Sequence, residues 1–286
     1  MRQFRNRVAV VTGAASGIGR AMAGRFAAEG MRVVLADIEQ AALDRATGQL
    51  RDDGAAVIGV RTDVSRPEDV QALADAAVAE FGAVHVLCNN AGVGIGSDFA
   101  KIPLSTWEWV LGVDLWGVIH GCRTFLPLLT EQDEAHIVNT SSMAALNGHP
   151  LGLAPYTVAK FGVLGLSQNL FFELAATTGG RVGVSVLIPG LTRTRIFESA
   201  RNRPDDVAVP PANSFAKASQ ASLGTALGAA LDPEKVADVV LDAIRERRFY
   251  ILPHPEEAID MAEQQLRWMR TNEPLVPGPG VARTAD

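Results

Sequence analysis

The chain has 286 residues, 48% of them apolar, and a formal net charge of −6 with its basic residues scattered. That is enough for one large domain or two small ones around a substantial core. It excludes an electrostatic footprint for nucleic acid, and no apolar stretch is long enough to cross a bilayer.

Arg2, Arg5 and Arg7 precede an apolar run, as in a signal peptide, but the run is short and breaks at Gly13. Targeting is rejected, and a cytoplasmic protein is expected. Cys88 and Cys122 fall in a predicted strand and a predicted helix, with no metal-ligand spacing, so two buried free thiols are expected.

Apolar, β-branched runs predict strands over 7–12, 32–37, 56–61, 84–88, 136–140 and 182–188, with a last short one at Phe249-Tyr250-Ile251-Leu252. Helical patterns lie between them, over 17–29, 39–52, 67–81, 104–129, 155–177 and 233–247. Gly30 reads as the stop of the first helix and Pro67 as the start of the third. Nearly continuous apolar strands suit a sheet buried on both faces. The fold class is therefore α/β: a single-domain, doubly wound, parallel seven-stranded sheet of the Rossmann type, helices on both faces. The expected division is 1–253 for the binding and catalytic domain, with substrate loops at about 191–230. A helical extension at 254–272 and a loose Pro/Gly-rich tail at 273–286 follow. Within the extension, Ile259, Ala262, Leu266 and Met269 form the apolar face expected to be buried.

In such a sheet ligands bind beyond the carboxyl ends of the strands, where the polar oddities of this chain fall. After the first strand comes Thr12-Gly13-Ala14-Ala15-Ser16-Gly17-Ile18-Gly19, spaced G-x3-G-x-G. A strand, a glycine turn and a helix N-terminus make a phosphate cradle, although three glycines alone also suit a plain tight turn. Asp37 ends the second strand about twenty residues past the glycine loop, where a carboxylate holds ribose hydroxyls and repels a 2′-phosphate. It also suits a helix cap. No Arg or Lys stands at Ala15 or Ile38, which agrees with NAD rather than NADP.

Tyr156 and Lys160 are four residues apart and share a helix face, with Pro155 in the first turn. An ammonium beside a phenol lowers its pKa, so Tyr156 can take a proton from an alcohol or give one to a ketone. A plain surface pair is the alternative. Ser142 follows the fifth strand and can stabilise charge on a substrate oxygen, with Ser141 as its rival.

The glycine loop, Asn89-Asn90-Ala91-Gly92, Ser142, Tyr156-x3-Lys160 and Pro189-Gly190, in this order, resemble the short-chain dehydrogenase/reductase family over about residues 6–252. The resemblance implies Ser142, Tyr156 and Lys160 as catalytic, with Lys160 also on the nicotinamide ribose. It implies cofactor contacts from Gly13, Ser16, Gly17, Ile18, Gly19, Asp37 and Ile38. Asp63, Val64 and Val113 are expected by the adenine, and Asn90, Ala91 and Gly92 by the adenosine-side ribose. Pro189, Gly190 and Leu191 are expected beside the nicotinamide, with Thr192 and Thr194 near the pyrophosphate and carboxamide. Asp114 departs from the family, which has asparagine there. An ionised Asp114 near Lys160 is expected to raise the Tyr156 pKa and take part in catalysis, unless it points elsewhere.

Loops 93–103, 143–155 and 191–230 are expected over the substrate. Ile95, Met143, His149, Leu153 and Phe197 are the candidate contacts, with Phe99, Leu146, Leu151 and Ile196 beside them. Mostly apolar, they suit a bulky hydrophobic secondary alcohol or ketone such as a terpenoid, steroid or cyclic ketone, unless they pack on each other. The Ala/Gly-rich stretch 212–230 suits a mobile lid. The resemblance implies a homo-oligomer, dimer or tetramer, built on helices 104–129 and 155–177, where Trp107, Trp109, Trp116, Phe171 and Phe172 supply apolar area. The chain thus reads as an NAD-dependent alcohol dehydrogenase or ketoreductase, without a metal and without a nucleic-acid or membrane partner. The alternatives are an NADP-dependent ketoreductase and a catalytically silent dinucleotide-binding sensor or scaffold.

Overall fold

The structure, a computed structural model, describes residues 1, 3–148, 152–211 and 230–273. Seven parallel strands form one sheet in the order β3-β2-β1-β4-β5-β6-β7. They are β1 (Val8–Thr12), β2 (Arg32–Asp37), β3 (Val57–Arg61), β4 (Val86–Asn89), β5 (Ala135–Thr140), β6 (Val182–Leu187) and β7 (Tyr250–Ile251). Strand order reverses between β1 and β4, so the crossovers diverge there and leave a crevice at the carboxyl ends.

Alternation along the strands feeds two cores. Ala9 and Val11 of β1 face one side with Phe26, Val240 and Ile244, while Val8 and Val10 face the other with Leu73, Phe125 and Leu174. Helices α1 (Gly17–Ala28), α2 (Gln40–Asp52) and α8 (Pro233–Glu246) cover the first face. The second is covered by α3 (Pro67–Phe81), α5 (Gly117–Thr130) and α7 (Ala154–Thr178). The ends of α3 follow from local chemistry. Pro67 opens it, Glu68 and Asp69 oppose its N-terminal dipole, and Gly82 closes it at φ 77°.

The expected continuous helix over 104–129 is instead α4 (Leu104–Leu111), a π-helical turn (Gly112–Trp116) and α5. The wider turn aims Asp114 inward, and Gly117 lets the helix approach Val64, where a Cβ would sit 2.7 Å from Cγ2. Three short elements lie in stretches read as loops: a 3₁₀ turn at Phe99–Lys101, α6 (Ala144–Asn147) and a 3₁₀ segment at Ile196–Asn202. Each is too short to show a period.

The final helix, α9 (Pro255–Thr271), docks through a different face from the expected one. Ala258 is buried and Met261 half-buried, whereas Ile259, Leu266 and Met269 are exposed. Position, not apolarity, decides this: the first turn is held against α6, and only the 258 and 261 side meets the body. No helix among the described residues is long and apolar enough to cross a membrane.

Candidate active site

A cleft of about 520 Å³ opens at the carboxyl ends of β1 and β4. On its floor Gly13 leaves β1 at φ 65°, and Gly17 begins α1 at φ 52°. A side chain at Gly13 would meet the Ala91 Cα at 2.8 Å. Ser16 caps α1 in position but makes no side-chain cap bond, and the first turn holds no acidic residue. The N-terminal amides and the positive end of the dipole are therefore open to an anion, and the cradle fits a pyrophosphate. Ile18 borders the cleft with Gly13, Ser16 and Gly17. Gly19 does not; it is a packing position, where a Cβ would overlap the Gly13 carbonyl and lie 2.6 Å from Asn90 Nδ2.

At the β2 end of the cleft, Asp37 takes the capping role that the sequence left open beside the ribose role. Its Oδ2 accepts the Ala15 amide and its Oδ1 the Glu39 amide, each at 3.0 Å, so it ties the glycine loop to β2 and caps the turn into α2. Burial pushes its carboxyl up, opposed by those two amides. Ile38, Asp63, Val64 and Val113 border the same end. The Asp63 carboxylate accepts both the amide and hydroxyl of Ser65, which shapes the turn before α3. Asn90, Ala91 and Gly92 also border the cleft, anchored from below: Thr12 Oγ1 accepts the amides of Asn90 and Ala91 at 2.9 and 3.0 Å.

The candidate catalytic groups meet where β5 faces α7. Ser141 turns inward and donates to the Lys160 carbonyl at 2.7 Å. Ser142 faces the cleft, accepts the Ala144 amide at 3.1 Å and hydrogen-bonds Tyr156. Lys160 Nζ lies 5.4 Å from the Tyr156 ring centre and donates to the Thr140 carbonyl at 3.2 Å. Burial pushes the Tyr156 phenol up; the Lys160 charge and the Ser142 bond pull it down, and Asp114 pushes it up again, for a net rise.

Asp114 does not point elsewhere. It is fully buried, its Oδ2 lies 3.1 Å from Lys160 Nζ, and its Oδ1 accepts the Val93 amide at 2.8 Å. Burial raises its carboxyl, against the Lys160 charge and the Val93 amide. Burial alone would lower the Lys160 ammonium, but Asp114 and Tyr156 outweigh it and the net direction is up. Asp114 sits behind Lys160 and off the cleft lining, so its contact with the cleft runs through Lys160. Gly92 makes room for the pair: a Cβ there would lie 3.4 Å from both Asp114 Oδ2 and Lys160 Nζ.

Pro189, Gly190, Leu191, Thr192 and Thr194 follow β6 along the far wall. Met143, Leu153, Ile196 and Phe197 also border the cleft. Ile95 does not; it packs against the small cluster of Val93, Trp109, Val110 and Val207, because a half-buried isoleucine there completes that core. Phe99 stacks edge-on with Trp107 and is exposed, and Leu146 also lies off the cleft. His149, Leu151 and all of the expected lid except Ala230 lie outside the described residues.

Several residues at or beneath the cleft have no signal in spacing. Thr12 and Thr140 act as strand-end acceptors. Glu39 Oε1 accepts Arg201 Nε at 2.8 Å and Asn202 Nδ2 at 3.0 Å, across 162 residues of chain. Glu257 and Met261 bring α9 to the cleft. Only the polar ends of strands marked the two threonines, and a long-range pair such as Glu39–Arg201 leaves no local pattern.

Residues 7–205 match the family model described as short chain dehydrogenase. A short chain dehydrogenase/reductase from Burkholderia phymatum, solved in complex with NAD, superposes with a TM-score of 0.90 at 42% identity, covering 96% of this chain and 98% of that one. The 1-deoxy-11-beta-hydroxypentalenate dehydrogenase of Streptomyces exfoliatus is 34% identical, over 91% of this chain and 88% of its own. The C alpha-dehydrogenase of Sphingobium sp. strain SYK-6 is 32% identical, over 90% and 83%.

Proposed function

The chain belongs to the short-chain dehydrogenase/reductase family of oxidoreductases, and from that premise we propose that it is an NAD-dependent enzyme of secondary alcohols and their ketones. The observation that carries this is the meeting of Ser142, Tyr156 and Lys160 on one wall of a cleft whose floor is the open N-terminus of α1. When bound, the nicotinamide supplies the two-electron redox partner for the carbinol carbon. Tyr156 holds the proton that leaves the substrate hydroxyl on oxidation and returns it on reduction. Ser142 donates to the substrate oxygen and fixes its distance from the phenol. Lys160 stabilises the phenolate, and Asp114 holds Lys160 in place while offsetting part of its charge.

Asp37 supports NAD over NADP, since a 2′-phosphate would meet its carboxylate. The NAD complex of the Burkholderia relative agrees. The relatives named as dehydrogenases of a hydroxylated compound and of a C alpha position support an alcohol substrate. Met143, Leu153, Ile196 and Phe197 favour a large apolar one. Exposed Trp116, Val158, Phe161 and Phe172 on the π turn and α7 support a homo-oligomer, and the buried free thiols of Cys88 and Cys122 suit a reducing compartment.

The test is absorbance at 340 nm with NAD or NADP and a panel of bulky secondary alcohols. Turnover with NAD that falls by at least a thousandfold in Tyr156→Phe, with NAD binding retained, is the expected result. Preference for NADP would overturn the role of Asp37. Tight NAD binding without turnover on any alcohol or ketone would favour the silent binder.

A further inference from the structure

The helix beyond the last strand reaches into the cleft. The His254 ring accepts the Gly190 amide through Nδ1 at 3.3 Å, so the start of α9 is tied to the turn after β6. The same turn is pinched between two side chains: a Cβ at Gly190 would lie 2.6 Å from Met143 Sδ and 2.9 Å from His254 Nδ1. One turn further on, Ala258 is buried where α9 packs on α6. One more turn brings Met261 to the cleft, and Glu257 borders it beside Ala258. Residues 254, 258 and 261 fall on one helix face, so the hook, the seat and the contact share a side.

Charge sharpens the picture. Lys160 is paired with Asp114, Arg195 with Glu198, and Arg201 with Glu39, so each of these cations at the cleft has its own carboxylate. Glu257 has no ion-pair partner among the described residues. Only the N-terminal dipole of α9 offsets its charge, no side-chain cation does, and a substrate carboxylate or phosphate there would be repelled.

We propose that α9 is a specificity wall: Met261 limits the size of the alcohol accepted, and Glu257 rejects anionic ones in favour of neutral or hydrogen-bond-donating ones. This rests on the alcohol dehydrogenase reading above. A thioether on a flexible stem fits irregular apolar surface, which suits Met261 to a bulky ring system. Neither residue touches the reacting groups, so both act on binding and selection.

The experiment uses the full chain with NAD and a series of secondary alcohols graded from one ring to four, with a carboxylate-bearing member of each size. Turnover and calorimetric binding are both measured. Met261→Trp is expected to raise KM for the largest alcohols at least tenfold while leaving kcat and the one-ring values within twofold. Met261→Ala should shift the optimum towards larger members, so a folding failure of the tryptophan variant does not end the test. Glu257→Gln is expected to improve kcat/KM for the carboxylate members at least fivefold without changing the neutral ones. Unchanged size and charge ratios across the variants would overturn the wall. If the parent protein turns over nothing, the dehydrogenase reading fails, and the binding series still decides: size-selective changes in affinity sustain the wall, and identical affinities refute it.

Discussion

Asp114 and Lys160 form a pair with almost no contact with water, at 3.1 Å. Such a pair is costly to break from one side, because the group left behind is a buried lone charge. Asp114→Ala is therefore expected to lose about 3–5 kcal/mol of stability, read from urea midpoints. Asp114→Asn keeps the shape and the Val93 contact and removes only the charge. Since Asp114 pushes the Tyr156 phenol up, its removal lets that phenol fall. Alcohol oxidation needs the phenolate, so its rate rises with pH, and the asparagine variant should reach half-maximal rate at a lower pH than the parent. An unchanged pH–rate profile would show that the Asp114 charge does not reach Tyr156. The sequence showed that an acid stood at 114, and the family resemblance marked it as unusual. It did not show the direction of the side chain, because that direction depends on a turn of five residues.

That turn illustrates the limit at the scale of elements. Helices with strong local punctuation were legible: α3 starts at Pro67 and ends at Phe81 as expected, because proline and Gly82 act within one residue. The π turn inside the expected 104–129 helix was not, since one extra residue per turn over so short a stretch leaves the apolar pattern unchanged. The docked face of α9 is not legible either, because hydrophobicity marks the most apolar stripe and not the stripe its anchored end presents. Close packing between elements is equally silent in sequence. Gly121 of α5 lies against Asn89, whose Nδ2 donates to Asn139 Oδ1 at 2.9 Å, and Asn139 in turn donates to Ser167 at 3.1 Å. This buried relay joins β4, β5 and α7 beneath the cleft. A Cβ at 121 would overlap Asn89 Oδ1. Gly121→Ala is expected to cost about 1–3 kcal/mol, or a melting temperature lower by about 3–9 °C. A melt equal to the parent's would mean that the relay yields freely.

Across the whole molecule, acid is resisted unevenly. His136 is buried, bonded to Ser185 Oγ at 2.7 Å, and burial with nearby positive charge holds it down to about 3. His85 is held down to about 4, chiefly by burial and then by Arg7. In an unfolded chain histidine titrates near 6.5. Between that value and the folded ones the unfolded state binds more protons, so stability falls as pH falls below about 6.5 and levels off near 3. Urea midpoints should drop steadily from pH 7 to pH 4.5, and less steeply in His136→Gln. A flat series would contradict neutral burial of these rings.

Glu39 carries a consequence for time rather than affinity. It stands just beyond β2, while Arg201 and Asn202 come from the segment after β6, and all three border the same cleft. In the proposed reading a dinucleotide occupies this end, and if it leaves past the three residues the exit step inherits the lifetime of a partly buried ion pair. Salt shortens that lifetime. Release of NADH, followed by stopped-flow fluorescence, should quicken with ionic strength, and should be several-fold faster and nearly salt-independent in Glu39→Ala. If product release limits turnover, the rate ceiling of this oxidoreductase is then set by a clasp that never touches the reacting atoms.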